Sequence, residues 1–208
     1  MDFCPNTNLK VKQHPDMFHM NTDSYLLGTF MKLKKNDIVL DVGTNNGVLL
    51  LYASLQKPKA LIGLDVFEEA ISLAKENMML NQVDAQLYVS SFQDFNQKVD
   101  VIVCNPPYFS GDNRNENHFL KVARHEEYLD MDTLFSKSKS LLNDKGRMFL
   151  IYPASRLQEL SVIANNHGFA IKNLEFAMKK DKKRVHTVCV HCVRRGNMGI
   201  DTINFVTV

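Results

Sequence analysis

No apolar run in this 208-residue chain approaches the length of a membrane-spanning helix, which needs about 20 predominantly apolar residues. Nor does Met1-Asp2-Phe3-Cys4-Pro5-Asn6 carry the basic and apolar regions of a secretory leader. The expectation is a cytoplasmic protein with no membrane association. Cysteine is scarce: Cys4, Cys104, Cys189 and Cys192 are the four present, and in that compartment they are expected to be reduced thiols. Net charge is low, at +2, so where the charge lies says more about partners than its total. Internal repeats and low-complexity linkers are absent too. With 45% hydrophobic and 23% charged residues, the composition is that of an ordinary globular protein. The length suits one sizeable core and is short for two domains. A single domain is expected over residues 1–208, with an N-terminal segment at 1–36 and the α/β fold proper at 37–208.

What is present alternates between strand and helix signals. Ile38–Val42 reads as a short buried strand, Gly43–Gly47 as a turn, and Val48–Ala53 as the start of a helix. Leu61–Leu64 is a second strand ending at Asp65. From Phe67 to about Leu80, Phe67, Ala70, Ile71, Ala74 and Met78 recur at helical spacing, and Met78-Met79-Leu80 reads as core. Gln86–Val89 and Asp100–Cys104 follow as strands, Leu134–Leu142 as a helix, and Gly146 as a break before the strand Arg147–Tyr152. Leu157, Leu160 and Ala164 mark a further helix; Phe169–Ala177 and Val185–Val193 are two late strands joined by a lysine-rich turn. This order predicts a Rossmann-like, doubly wound, mostly parallel sheet with a C-terminal antiparallel hairpin.

The sharpest chemical signal is Val101-Ile102-Val103-Cys104 running straight into Asn105-Pro106-Pro107-Tyr108. Two prolines fix φ near −65° and donate no backbone hydrogen bond, so the chain leaves the strand as a stiff, extended turn. The turn places an amide, a free carbonyl and an aromatic ring at the carboxyl end of a buried strand, where ligands bind in open α/β sheets. The Asn105 oxygen and the Pro106 carbonyl are both acceptors and suit a planar NH₂ group, with Tyr108 able to stack on its ring. Residues 109–127 continue as a polar, weakly periodic loop of the kind that is often functional or disordered.

A second signal is Asp41-Val42-Gly43-Thr44-Asn45-Asn46-Gly47, directly after the first sheet strand. Glycine there permits a tight turn and close backbone approach, and the following helix offers N–H groups. The spacing is not that of the dinucleotide fingerprint. Asp65, at the end of the next strand, can accept the ribose hydroxyls of an adenosine-type cofactor.

Glycine turn, strand-terminal Asp65 and Asn105-Pro106-Pro107-Tyr108, in that order, resemble class I S-adenosylmethionine-dependent methyltransferases of the amino-group subclass. The resemblance covers nearly the whole chain. It narrows to the small enzymes that methylate N6 of adenine-37 in a valine tRNA, through Phe109, Asn117-His118-Phe119, Ala123-Arg124-His125-Glu126, the early segment Phe18–Leu27, and the tail Val193-Arg194-Arg195-Gly196. It implies S-adenosylmethionine as cofactor, held by Asp23, Asp41, Gly43, Asn45, Gly47, Asp65, Val66, Ser91, Phe92 and Asn105. It implies that Asn105, Pro106, Pro107 and Tyr108 position the target amine. Two positions depart from the family pattern. Asn45 stands where a glycine is usual, and Asn is the non-glycine residue that best tolerates a left-handed backbone. Ser90-Ser91 stands where an aspartate is common, with Asp94 a possible substitute.

A tRNA partner fits the distribution of positive charge. Lys179, Lys180, Lys182, Lys183 and Arg184 form a block between the last two strands, and Lys32, Lys34 and Lys35 form a smaller one. Such patches hold phosphates or simply solvate loops. Arg124 is a candidate phosphate contact, with a salt bridge at a helix start as the other reading. No metal is expected: in a strand, Cys189 and His191 share one face while His186 and Cys192 take the other, so the four cannot converge. Two other functions stay open at this point. One is a glutamine-amide methyltransferase acting on release factors, which usually has an extra N-terminal helical domain. The other is a catalytically silent cofactor- or RNA-binding module.

Overall fold

The structure is a computed structural model and describes residues 2–15, 17–106, 129–179 and 184–208. In chain order the elements are β1 (Asp2–Phe3), β2 (Lys10–Val11), α1 (Thr22–Phe30), β3 (Ile38–Val42), α2 (Val48–Ser54), β4 (Ala60–Asp65), α3 (Glu68–Leu80) and β5 (Gln86–Val89). They continue with β6 (Val99–Cys104), α4 (Met131–Leu141), β7 (Leu142–Pro153), α5 (Leu157–Asn166), β8 (Phe169–Met178), β9 (Val185–Arg194) and β10 (Thr202–Thr207). β1 and β2 pair with each other. The remaining strands form one sheet in the order β10-β8-β9-β7-β6-β3-β4-β5, in which β9 runs against both its neighbours while the other pairings are parallel.

Strand β6 shows why the sheet is covered on both faces. Ile102 and Cys104 enter a core with Leu134 and Phe135 of α4 and Leu160 of α5. Val101 and Val103 enter the opposite core with Leu27 of α1 and Leu50 and Leu51 of α2. All four strand residues are at most 1% exposed, so each strand-period alternation feeds a separate core. Each such side chain contributes about 1.5–3 kcal/mol of burial. Helix starts are marked by polar caps: Asn21 accepts from the Ser24 N–H at 3.0 Å before α1, and Asp130 accepts from Thr133 at 2.6 Å before α4. At the amino ends of the parallel strands, Arg147 of β7 pairs with the buried Asp37 and donates to the Lys32 carbonyl at 2.6 Å.

The strand order reverses around β3, with β4 and β5 on one side and β6 and β7 on the other. The carboxyl ends of β3 and β6 therefore border the crevice at the switch point. Three expectations need correction. β7 starts at Leu142, upstream of Gly146, and absorbs the extra residues as a register shift between its pairings Val99↔Leu142 and Val101↔Arg147. The chain adds an edge strand, β10, parallel to β8. Met79 is 78% exposed, and only Met78 of that pair enters the core. Among the described residues, no helix is long and apolar enough to cross a membrane.

Candidate active site

Backbone register assembles the site. Val42 of β3 pairs with Leu64 of β4 on one side and with Cys104 of β6 on the other. The next residues, Asp65, Gly43 and Asn105, therefore lie in a row across adjacent strand positions about 4.8 Å apart. Asp65 in turn pairs with Val89 of β5, and its carbonyl accepts from Ser90 at 2.9 Å.

The glycine turn is fastened to its neighbours by hydrogen bonds. Thr44 N–H donates to the Leu64 carbonyl at 2.8 Å, and Gly47 N–H to the Thr44 carbonyl at 2.8 Å. Asn45 N–H donates to Asp65 Oδ2 at 2.9 Å, and Phe67 N–H donates to Asp65 Oδ1 at 3.1 Å. Gly43, Asn45 and Gly47 have φ of 71°, 48° and 78°, so Asn45 adopts the left-handed backbone that asparagine tolerates. Its side-chain Nδ2 donates to the Phe18 carbonyl at 3.1 Å. Gly47 has a packing reason as well: a Cβ there would lie 2.9 Å from Met78 Cε of α3.

Burial sets the electrostatics. Asp41 is 1% exposed, and its Oδ2 accepts from the Thr44 hydroxyl at 2.7 Å. Its Oδ1 is buried without a hydrogen-bond partner among the described residues. Burial pushes the Asp41 carboxyl up to about 7; the Thr44 hydroxyl opposes this and the neighbouring Asp65 charge adds to it. Burial also raises Asp65, against the N–H groups of Phe67, Asn45 and Val66. Asp23, in the first turn of α1, is raised by burial and held down by a hydrogen bond from Thr187.

The residues fit an S-adenosylmethionine-type ligand on two observations. A Cβ added at Gly43 would meet nothing within 4 Å among the described residues, so those residues leave room directly against the turn. The unpartnered Asp41 oxygen suits a ligand that brings positive charge. Asp41, Gly43, Asn45, Gly47, Asp65 and Asn105 are thus brought together, with Val66 45% exposed just beyond β4 and Pro106 buried after Asn105. Ser91 lies past the carboxyl end of β5 and its hydroxyl donates to Asp94 at 2.8 Å. Phe92 is 4% exposed and packs in the core of α4 and α5. Asp23 lies beside Thr187, which pairs with Pro153 at the carboxyl end of β7. Lys179 and Arg184 are exposed where β8 and β9 meet their connection, at the same sheet end as Asn105. Pro107, Tyr108, Arg124, Lys180, Lys182 and Lys183 lie outside the described residues, as does the loop after Tyr108. Among the described residues, no three His, Cys, Asp or Glu side chains group as metal ligands. Thr187 escaped the sequence reading and carries no local motif; Phe18 enters that reading only as the start of the early segment, not for its carbonyl.

A family model described as the methyltransferase small domain matches residues 8–173. A tRNA1(Val) (adenine(37)-N6)-methyltransferase of Shewanella sediminis is 28% identical over 172 residues, spanning 78% of this chain and 68% of its own length. The protein of the same name from Pedobacter heparinus is 31% identical over 157 residues, 73% of this chain and 67% of its own. The crystal structure of a putative RNA methyltransferase from Pyrococcus horikoshii superposes with a TM-score of 0.63 at 20% identity, covering 90% of this chain and 93% of that one. That likeness is of fold. The chain belongs to the methyltransferase small-domain family and is an S-adenosylmethionine-dependent methyltransferase with a Rossmann-like sheet.

Proposed function

We propose that the protein methylates the exocyclic N6 amine of an adenine in tRNA, the position being adenine-37 of a valine tRNA as in the names of its relatives. The observation that carries the reading is the register that sets Asn105 beside Gly43 and Asp65 at the switch point. In this reading Asp65 holds the ribose, Asp41 and the turn Gly43–Gly47 hold the amino-acid end, and Val66 and Ser91 border the adenine. Phe92 contributes only through its backbone. The cofactor supplies an electrophilic methyl group on a sulfonium.

The chain's task is to prepare the acceptor. The N6 lone pair of adenine is delocalised into the ring and points poorly at an electrophile. The Asn105 side-chain oxygen and the Pro106 carbonyl accept the two amino protons and favour a tetrahedral nitrogen. So held, the nitrogen would accept the methyl group that the bound cofactor supplies and would release its surplus proton to water. Catalysis is orientation plus stabilisation of positive charge developing on nitrogen. Tyr108 stacks on a base already unpaired in a loop, which lowers the unstacking cost. Lys179 and Arg184, with Lys180, Lys182, Lys183 and Arg124, hold phosphates.

Methyl-labelled cofactor offered with total tRNA, ribosomal RNA, DNA and release factor tests the reading. Nucleoside digestion should yield labelled N6-methyladenosine from tRNA. Label in release-factor glutamine would replace the substrate, and label nowhere with cofactor binding intact would leave a silent module.

A further inference from the structure

Asn77 stands on the buried stripe of α3, where its neighbours Ala70, Ile71, Ala74 and Met78 are apolar, and it is itself 0% exposed. Its amide is fully used. Oδ1 accepts from the Lys12 N–H at 2.7 Å, and Nδ2 donates to the Lys12 carbonyl at 3.1 Å and to the Asn46 carbonyl of the glycine turn at 2.9 Å. One helical turn later, Asn81 treats Lys10 the same way, accepting from its N–H at 2.8 Å and donating to its carbonyl at 2.7 Å. Residues 10 and 12 of an extended segment turn their backbone groups to one side, and residues 77 and 81 share one helix face. The two amides therefore stand in for a strand partner. Beyond Lys12, Gln13 accepts from Met20 N–H at 2.7 Å, and the Phe18 carbonyl takes the Asn45 amide. The N-terminal segment and the glycine turn are joined at both Asn77 and Asn45.

We propose that Asn77 is a positioning residue for the methyl-donor turn: by holding the Asn46 carbonyl and the Lys12 backbone together, it couples order in the N-terminal segment to donor affinity. The inference rests on the donor lying against that turn, as in the proposed function. Only a primary amide offers two donors and an acceptor in this arrangement. A carboxylate at this place would face two carbonyls, and an aliphatic group would leave three buried backbone groups unpaired. The turn has particular need of an anchor, because Asn45 sits at a positive φ of 48°, a conformation that persists where surrounding contacts over-determine it.

The test uses the full chain and S-adenosylhomocysteine as probe. Calorimetry on Asn77→Ala should show binding weakened about tenfold, equivalent to about 1.4 kcal/mol, with KM for the donor rising more than kcat falls. Asn81→Ala, which loosens Lys10 without touching the turn, should bind the probe within about twofold of the parent. Asp65→Ala should lose binding outright. Hydrogen exchange on the unaltered protein needs no variant to fold: the probe should slow exchange at the Lys12 amide together with that of Asn45. Parent-like affinity in Asn77→Ala beside a crippled Asp65→Ala would overturn the positioning role and spare the site. Equal weakening in Asn77→Ala and Asn81→Ala, or no protection at Lys12, would also overturn it. Full affinity in Asp65→Ala would remove the site reading itself.

Discussion

Replacing Asp41 with asparagine should flatten part of the pH dependence of stability. The carboxyl is buried with one oxygen unpartnered among the described residues, and its pKa rises from 3.8 to about 7 on folding. The folded state therefore prefers the protonated acid. The stabilisation this provides is complete below pH 3.8 and is lost as pH rises through about 7. At 1.36 kcal/mol for each unit of difference, the full span is about 4 kcal/mol, of which about 2.5 kcal/mol falls between pH 5 and pH 8. Asparagine cannot ionise. It introduces a buried amide whose cost, about 1–3 kcal/mol, is the same at every pH. Urea denaturation of the unliganded parent and Asp41→Asn should give stabilities whose difference moves by about 2.5 kcal/mol in the variant's favour from pH 5 to pH 8. In melting experiments this is roughly 5–10 °C for a chain of this size. A difference that stays constant across that range would refute the claim that an unpaired buried carboxyl lies beneath the turn. The functional corollary is that the parent should bind the cationic cofactor more tightly as pH rises through 7, and that Asp41→Asn should lose that trend.

Other consequences follow from the same geometry. Asn105→Ala should lower methyl transfer by about a hundredfold or more while S-adenosylhomocysteine affinity in calorimetry changes little; equal loss of both would deny it a role at the acceptor. Lys179→Ala with Arg184→Ala should reduce the salt slope of tRNA binding by about 0.7 for each lost single-strand phosphate contact, read from filter binding across salt concentrations. Arg147→Met breaks the buried pair with Asp37, whose side chains are 13% and 7% exposed. Chemical denaturation should report a loss of about 3 kcal/mol with cofactor affinity unchanged, since the pair lies at the other end of the sheet.

Much of the sheet was legible because burial writes itself locally. Ile38–Val42 and Val101–Cys104 are short apolar runs between breakers, and both are central strands. Gly43, Asp65 and Asn105 could be read because each ends or follows a buried strand. β10 could not, since its residues are nearly all exposed and show no buried alternation. The resemblance places Phe92 beside the cofactor, and the residue is 4% exposed in the adjoining core. Asn77 carried a signal that went unused: a primary amide on an otherwise apolar helix stripe needs partners. Those partners lie 65 and 31 residues away, beyond the reach of any local pattern.

In the proposed mechanism Asn105 holds the acceptor amine directly across the strand ends from the cofactor turn. A crystal structure with S-adenosylhomocysteine bound tests it most simply. The ribose should lie on Asp65 and the sulfur should open towards the Asn105 oxygen with no side chain between them. A sulfur turned away from Asn105, or a ligand seated elsewhere in the fold, would contradict it.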